Sequence, residues 1–283
     1  MNMSTGIFFH YQRGKRLKDF PQALNGILNR GDVFFYDAFY PSKPASPFDL
    51  ESIPLDILHE VHTPEMVQRV RATGDYEGAL FSAAGTVAAA KRISNGEITN
   101  AFVFTGYGDH HAGSDFFGGG CYFNGAAMAI HELRKKRNVH RFAIIDTDAH
   151  HGDGTWELFE NDPETLYLCF CSSPFKEING NVNIQVPFRV DDSIYLELIR
   201  KAFKKWATCF DPEMIFWNWG YDGTKGEYGD LGLTPDVHLK LATDIKQLAL
   251  RTCHGRAIVI LCGGSSRKLA SLLIPAIIKI LSN

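Results

Sequence analysis

Short apolar runs recur along the chain, and most are followed by a stretch with helical periodicity. Runs of this kind, bounded by polar or glycine-rich segments, are typical of strands that are buried on both faces of a sheet. We therefore predict five strands, over Ala101–Phe104, Phe142–Ile145, Leu166–Cys171, Met214–Trp217 and Ala257–Leu261.

The segments between these runs carry apolar residues at the three- and four-residue spacing of amphipathic helices. Helices are predicted over residues 76–93, 124–137, 155–160, 191–206 and 235–251, and a last helix follows Gly263-Gly264. Thr234 and Pro235 supply the N-cap and first-turn residue typical of a helix start. Residues 36–58 are rich in Pro, Ser and Asp, lack a clear pattern, and are predicted to form a surface loop over one end of the sheet.

Strand–helix alternation of this kind predicts an α/β fold with a mainly parallel central sheet and helices on both faces. A length of 283 residues accommodates one large domain or two small ones. The sequence contains no internal repeat, low-complexity segment or obvious linker. We therefore expect a single domain over residues 1–283.

Four of the predicted strands run directly into polar or glycine-rich segments. These segments are Thr105–His111, Asp146–Asp153, Asn218–Gly223 and Cys262–Ser266. Because the carboxyl ends of parallel strands meet at the same edge of a sheet, we expect the four segments to lie close together. The sequence thus predicts one site assembled from pieces that are distant along the chain.

The densest of these segments is Asp146-Thr-Asp148-Ala-His150-His151-Gly-Asp153, with three carboxylates and two imidazoles in eight residues. If the strand geometry continues past Ile145, then Asp146, Asp148 and His150 point to one side. Mixed Asp and His ligation suits zinc or iron better than magnesium or calcium, which prefer oxygen alone. Asp148, His150 and Asp222 would give three ligands and leave a position open for water and substrate, as in catalytic sites.

The tandem imidazoles of His110 and His111 suit general acid/base catalysis, since their unperturbed pKa is near neutral. Each needs a partner on its other ring nitrogen to fix the tautomer. Asp146 and Asp153, the spare carboxylates of the dense segment, are the candidates for that task. The reaction class that follows is metal-assisted hydrolysis of a carbonyl compound, with an amide as the first candidate.

Composition excludes several other classes of function. The net charge is −3 with no long basic run, so we expect no nucleic-acid binding. No stretch of about 18 apolar residues is present, so no membrane span is predicted. The N-terminus lacks a signal-peptide pattern, and the six cysteines include no CxxC pair, which favours a cytoplasmic protein with reduced thiols.

Six segments taken in order carry a family resemblance. They are Val61–Val70, Gly108–Gly113, Gly119–Asn124, Asp146–Gly154, Gly220–Asp222 and Gly229–Pro235. Together they resemble the zinc-dependent histone deacetylase family, including its bacterial and archaeal acetylpolyamine and acetoin-utilisation relatives. The similarity covers most of the chain and implies an arginase-like α/β fold and an acylated amine or acyl-lysine as substrate.

By this resemblance the metal, Zn²⁺ with Fe²⁺ as the alternative, is bound by Asp148, His150 and Asp222. His110 and His111 form the acid/base pair, with Asp146 behind His110 and Asp153 behind His111. Gly119 and Gly120 belong to the segment that lines the substrate pocket, and Tyr221 is a further candidate there. The family also has a potassium site beneath the metal, which uses the Asp146 position and main-chain oxygens.

The chain departs from the family where a Gly-Gly-Tyr motif is expected, because Gly263-Gly264 is followed by Ser265. The family tyrosine donates a hydrogen bond to the substrate carbonyl and the developing oxyanion. Loss of such a donor typically costs about 3–4 kcal/mol of transition-state stabilisation. Its replacement could be Ser265 through a water molecule, Arg267, Tyr228 or Tyr107.

Two further departures concern the pocket and the potassium site. Gly120 stands where the family has an aromatic residue, so one wall of the acyl-lysine tunnel is expected to be missing. Cys169-Phe-Cys171 stands where relatives carry a Ser-Leu-His-like run, and a thiol is a poorer ligand than a hydroxyl for a hard cation. We therefore expect incomplete potassium occupancy and a substrate other than a histone tail, such as a small or bulky metabolite amide.

Two alternative functions remain open. The first is a catalytically impaired homologue that binds acyl ligands or a partner, although the intact acid/base residues argue against it. The second is an arginase-like ureohydrolase, whose two-manganese cluster needs additional Asp and His ligands. The single Asp-x-Asp-x-His motif fits one metal better than two. The sequence leaves the oligomeric state open.

Overall fold

Nine strands form a single sheet in the residues that the computed structural model describes, namely 3–9, 24, 33–37, 55–104 and 106–283. They are β1 (Thr5–Phe9), β2 (Val33–Asp37), β3 (Asn100–Phe104), β4 (Phe142–Asp146), β5 (Thr165–Cys171), β6 (Lys176–Ile178), β7 (Asn181–Gln185), β8 (Met214–Trp219) and β9 (Ala257–Leu261). Their order is β2-β1-β3-β9-β8-β4-β5-β7-β6. Every neighbouring pair is parallel except β6 and β7.

The helices connect these strands across both faces of the sheet. They are α1 (Leu55–Val61), α2 (Pro64–Ala72), α3 (Tyr76–Ser94), α4 (Gly125–Arg137), α5 (Asp153–Phe159), α6 (Asp192–Ala202), α7 (Pro235–Cys253) and α8 (Arg267–Ser282). Helix α6 continues through a π-helical turn, Phe203–Ala207, and a last turn, Thr208–Phe210. No helix among the described residues is long and apolar enough to cross a membrane.

Two apolar layers cover the sheet, one on each face. Successive residues of a strand point to opposite faces, and in β8 Trp217 packs into one layer while Phe216 packs into the other. Helices α6, α7 and α8 contribute to the first layer, and α3 and α4 contribute to the second. The predicted α/β fold, with a mainly parallel sheet covered on both faces, is therefore confirmed.

All five predicted strands are present, with ends shifted by at most two residues. Strands β1, β2, β6 and β7 were not predicted. Of these, β6 has three residues, all exposed, so it lacks the apolar signal of a buried strand. The surface-loop prediction for residues 36–58 is wrong at both ends, since β2 runs to Asp37 and α1 begins at Leu55. Residues 38–54 lie outside the described residues.

The sheet order places the four polar segments side by side. Strands β3, β9, β8 and β4 are consecutive neighbours, and all four run parallel. Their carboxyl ends lead into the segments that contain His110, Gly263, Asp222 and Asp148, respectively. The predicted assembly of one site from four sequence-distant pieces is borne out at the level of the fold.

Candidate active site

The segment after β4 folds into a turn through its own side chains. Strand β4 ends at Asp146, whose Oδ1 accepts a hydrogen bond from the Asp148 backbone N–H at 3.2 Å. Asp148 Oδ1 in turn accepts from the His150 backbone N–H at 3.0 Å. Asp side chains that bond the backbone two residues on are typical of turns. A turn, and not the continued strand that the alternation suggested, therefore brings Asp148 and His150 together.

Three side chains converge beyond this turn and form a candidate metal-binding cluster. His150 Nδ1 lies 3.1 Å from Asp148 Oδ1 and 2.8 Å from Asp222 Oδ2. One potential ligand atom from each of the three residues lies within 4.8 Å of the others. Asp148 and Asp222 are buried, whereas the His150 side chain is partly exposed. The sequence-predicted ligands thus lie together.

The two carboxylates of this cluster are left incompletely satisfied by the protein. The Oδ2 atoms of Asp148 and Asp222 are buried without a hydrogen bond, although Asp222 Oδ2 contacts His150. Burial and the neighbouring Asp148 carboxylate raise the pKa of Asp222. Adjacent buried carboxylates are costly unless a cation or proton neutralises them. Two such oxygens beside an imidazole nitrogen fit a divalent cation of the zinc or iron type.

The backbone approaches the carboxylates closely at two glycines. A Cβ atom built on Gly220 or on Gly263 would collide with Asp148 Oδ2. Gly220 follows β8, and Gly263 lies in the segment after β9. The absence of side chains at these positions leaves the volume between the strand ends to the ligand atoms.

His110 is buried and lies between two of the carboxylates. Its Nδ1 is 3.0 Å from Asp146 Oδ2, and its Nε2 is 3.8 Å from Asp148 Oδ1. Asp146 Oδ2 also accepts a hydrogen bond from Tyr167 Oη at 2.9 Å, which fixes the carboxylate. Burial lowers the pKa of His110, but the carboxylates of Asp146, Asp148 and Asp222 outweigh it and raise that pKa to about 9.

His111 lies beside His110 but is more accessible. Its Nδ1 is 2.6 Å from Asp153 Oδ1, and Asp153 is the first residue of α5. The two imidazole rings lie 4.1 Å apart between centroids. The predicted pairing of each histidine with its own aspartate is therefore present in the geometry.

The glycine segment that follows the histidines shapes the space in front of them. Gly119 has φ +56°, and a Cβ there would lie 2.5 Å from His111 Cδ2, so the imidazole packs against the bare backbone. A Cβ on Gly120 would meet nothing within 4 Å. The space beside Gly120 is therefore open among the described residues.

The residues that follow Gly264 are bound by a carboxylate that the sequence analysis did not single out. Glu227 accepts hydrogen bonds from Ser265 N at 2.8 Å, Ser265 Oγ at 2.7 Å and Ser266 N at 2.9 Å. The Ser265 hydroxyl thus donates to Glu227. Tyr221 is fully buried, and its ring lies where a Cβ on Gly264 would collide with it.

Tyr228 occupies the surface over the metal-binding cluster. Its ring stacks on the His150 ring, with centroids 5.6 Å apart and planes inclined by 27°. Its Oη accepts a hydrogen bond from Gly264 N at 2.9 Å. The side chain is 61% exposed, so the phenol is accessible from solvent. By contrast, Tyr107 Oη donates to Asp75 at 2.5 Å, and Arg267 is exposed at the start of α8.

Comparison with known proteins relates the chain to one family. The family profile described as histone deacetylase domain matches residues 38–281. A probable deacetylase of Archaeoglobus fulgidus is 28% identical over 295 residues, which cover 93% of this chain and 82% of that protein. Human histone deacetylase 9 is 30% identical over 208 residues, which cover 66% of this chain and 20% of that protein.

A solved structure supports the fold independently of close sequence similarity. The crystal structure of the HDA15 HD domain matches with a TM-score of 0.78 at 24% identity, over 99% of this chain and 90% of that chain. The arginase/deacetylase-like α/β fold expected from the resemblance is therefore confirmed.

Proposed function

The chain belongs to the histone deacetylase family, and we propose that it is a metal-dependent deacylase that hydrolyses an acylated amine. The family match and the archaeal relative support a hydrolase of the deacetylase type. One observation carries the metal dependence: two buried carboxylate oxygens without hydrogen bonds flank His150, beside two imidazoles that aspartates hold in place. We further propose that residues 1–283 form one catalytic domain.

Asp148, His150 and Asp222 are the proposed metal ligands, with Zn²⁺ as the first candidate and Fe²⁺ as the second. A bound cation would polarise the amide carbonyl and lower the pKa of water. The Oδ2 atoms of Asp148 and Asp222 are the reason for choosing these ligands, because both are buried and, among the described residues, their one close side-chain contact is that of Asp222 with His150. A potassium ion near Asp146 is not supported by the donor set, because the thiol of Cys169 stands where the family has a hydroxyl.

The two histidines are proposed to divide the proton transfers between them. His110 is buried with its Nδ1 3.0 Å from Asp146 Oδ2, and this carboxylate favours the protonated ring, so His110 presents a hydrogen-bond donor to the reacting carbonyl. His111 is more accessible and has one aspartate partner, so it takes the proton of the attacking water and returns it to the leaving amine. Asp146 and Asp153 hold the two rings in orientation.

Tyr228 is the proposed replacement for the family tyrosine. The hydrogen bond from Gly264 N places its phenol at the Gly-Gly turn that the family tyrosine follows. Stacking on His150 holds the ring over the metal-binding cluster. A phenol can both accept and donate a hydrogen bond, and donation is what an oxyanion ligand requires. Ser265 is a weaker candidate because its hydroxyl donates to Glu227.

Tyr228→Phe is expected to lower kcat by about a hundred- to a thousandfold, the usual effect of losing one oxyanion donor. The phenylalanine keeps the stacking on His150, so cation binding and thermal unfolding should stay close to those of the wild type. Tyr107→Phe is the matched control, since its hydroxyl donates to Asp75. Unchanged kcat in Tyr228→Phe, or an equal loss in the control, would contradict the assignment.

The substrate is proposed to be an acylated amine wider than a histone-tail lysine, such as a small or bulky metabolite amide. The open space at Gly120 is the supporting observation, because among the described residues nothing lies within 4 Å of a Cβ built there. We also propose a reducing, cytoplasmic setting, because all six cysteines are free thiols. We propose that the protein has no nucleic-acid partner, because its net charge is −3.

Turnover of a panel of acylated amines tests this function directly. The panel contains an acetyl-lysine peptide, acetylpolyamines and small acylated metabolites, and the protein is loaded with Zn²⁺ or Fe²⁺. We expect hydrolysis that depends on the cation, with the small metabolite amides preferred over the peptide. Failure to cleave any acylated amine, with one cation still bound at Asp148, His150 and Asp222, would instead favour the binding-protein alternative.

A further inference from the structure

A second group of potential metal ligands lies next to the turn at Asp146–His150, which we call the catalytic turn. It consists of His151, which follows the proposed ligand His150, together with Cys169 and Cys171 of β5. Asn183 of β7 joins them, since its Oδ1 lies 3.2 Å from His151 Nδ1 and 3.0 Å from Cys171 Sγ. None of the four belongs to the proposed catalytic machinery.

Three of the distances between these atoms are close to the edges of a tetrahedral zinc site, including 3.2 Å from His151 Nδ1 to Asn183 Oδ1. His151 Nδ1 lies 3.6 Å from Cys169 Sγ and 3.7 Å from Cys171 Sγ. Zinc bonds of about 2.3 Å to sulfur and about 2.0 Å to nitrogen or oxygen, at tetrahedral angles, separate sulfur from nitrogen by about 3.5 Å and nitrogen from oxygen by about 3.3 Å. The distance of 3.0 Å from Cys171 Sγ to Asn183 Oδ1 is a hydrogen bond that would lengthen by about 0.5 Å once a cation replaces the thiol proton.

The fold holds the four side chains in this arrangement. Cys169 and Cys171 are two residues apart on one strand and therefore share a face of the sheet, and Cys169 is the register partner of Asn183 on β7. Asn183 Nδ2 donates to the carbonyl oxygens of Ser173 and Pro174, at 2.7 and 2.8 Å. These bonds direct the amide oxygen towards the thiols, so the orientation of the amide is determined.

The chemistry of the donors favours a thiophilic cation over a disulfide. Two cysteines separated by one residue on a strand have Cα atoms about 6.6 Å apart, at the upper end of the range for disulfides. Two thiolates and an imidazole select zinc or another soft cation over potassium, magnesium or calcium. Cys169 and Cys171 are buried, which protects the site from competing ligands.

We propose that His151, Cys169, Cys171 and Asn183 form a second, structural cation site that binds zinc or a chemically similar thiophilic ion. The site joins the catalytic turn to strands β5 and β7, because His151 is the residue next to His150. Its occupancy therefore fixes the turn that presents Asp148 and His150. It is chemically distinct from the proposed catalytic site, which offers oxygen and nitrogen ligands and no sulfur.

Cobalt substitution tests this site in the 283-residue chain. Reduced protein is stripped of metal with a chelator and loaded with Co²⁺, and bound cobalt and the absorption spectrum are measured. We expect two Co²⁺ per chain and a thiolate-to-cobalt charge-transfer band. Cys169→Ser combined with Cys171→Ser should lose one Co²⁺ and the band, whereas Asp222→Ala should lose one Co²⁺ and keep the band. Cys209→Ser, which replaces an exposed cysteine elsewhere, is the matched control.

Three results would overturn the proposal. The first is wild-type protein that binds one Co²⁺ and shows no thiolate band. The second is a band that survives in the double serine variant, which would place the thiolates elsewhere. The third is an unreduced sample that has two fewer reactive thiols than the reduced protein, together with a reduced sample that binds no second Co²⁺. This result would identify Cys169 and Cys171 as a disulfide. Each of these leaves the catalytic proposal standing, because the Asp222→Ala variant reports on that site separately.

Discussion

Asp222→Ala is expected to abolish deacylase turnover and to weaken binding of the catalytic cation by more than about a hundredfold. Substitution of a residue that hydrogen-bonds to a metal ligand typically lowers metal affinity or activity by about ten- to a hundredfold. Loss of a ligand itself should lower the affinity further. Asp222 is fully buried, and its Oδ2 lies 2.8 Å from His150. Removal of its carboxylate leaves Asp148 and His150, too few ligands to keep the cation.

The same variant should be folded, which separates a loss of cation from a loss of structure. Burial and Asp148 raise the pKa of Asp222 above its value in the unfolded chain. Such a group stabilises the native state only at pH values low enough to protonate it, and that contribution is lost as the pH rises through its folded-state pKa. In cation-free protein above that pKa, alanine therefore removes a repulsive charge, and the melting temperature should not fall sharply.

The control for this experiment is Asp211→Asn. Asp211 is an exposed aspartate paired with Arg141, and its positive φ is one that asparagine tolerates. Cation content, measured by elemental analysis, and turnover should match the wild type in the control and fall together in Asp222→Ala. Full turnover with bound cation in Asp222→Ala would show that the ligand set is assigned wrongly.

The second large effect is expected at the tandem histidines. His111→Gln should lower kcat by about a hundred- to ten-thousandfold, the range for loss of a general acid/base. The cation should remain bound, because His111 is not one of the proposed ligands and its Nδ1 contacts Asp153. KM should change little, since the lost interaction acts in the transition state.

A pH profile distinguishes this role from a structural one. If His111 carries protons, the limb of the kcat profile that depends on it should disappear in His111→Gln, whereas a packing defect would lower kcat at every pH. His140→Gln is the control, because His140 is exposed and lies two residues before β4, at the end of the strand opposite the candidate site. A variant with normal turnover, or one that loses its cation, would refute the assignment.

The central strands were predictable because their signal is local. A buried strand needs a continuous apolar run, and Phe142–Asp146 and Ala257–Leu261 carry one whatever surrounds them. Strands β1, β2, β6 and β7 escaped prediction. The shortest of them, β6, has only exposed residues and depends on pairing with β7. The π-helical turn after α6 was also not predicted, because the apolar spacing of the sequence there is that of an ordinary α-helix.

The sequence by itself determined which residue types meet at the candidate site. Asp148, His150, Asp222 and the tandem histidines follow strands whose parallel order brings them to one edge, so their convergence could be expected before the fold was known. The turn at Asp146–His150 is also local, since aspartate side chains form it with the backbone two residues on. The alternation of residues nevertheless predicted a continued strand there, because spacing does not show that the aspartates bond the backbone.

Only the tertiary structure distinguishes the candidates for replacing the family tyrosine and shows what the cysteines contact. Tyr228 meets Gly264 across 36 residues, and Cys171 meets Asn183 through the register of β5 and β7. The alternatives Ser265, Tyr107 and Tyr228 were equivalent in the sequence and differ in the structure by their hydrogen-bond partners. The physical reason is that a hydrogen bond or a metal ligand set depends on distances of a few tenths of an ångström, which packing fixes and residue order does not.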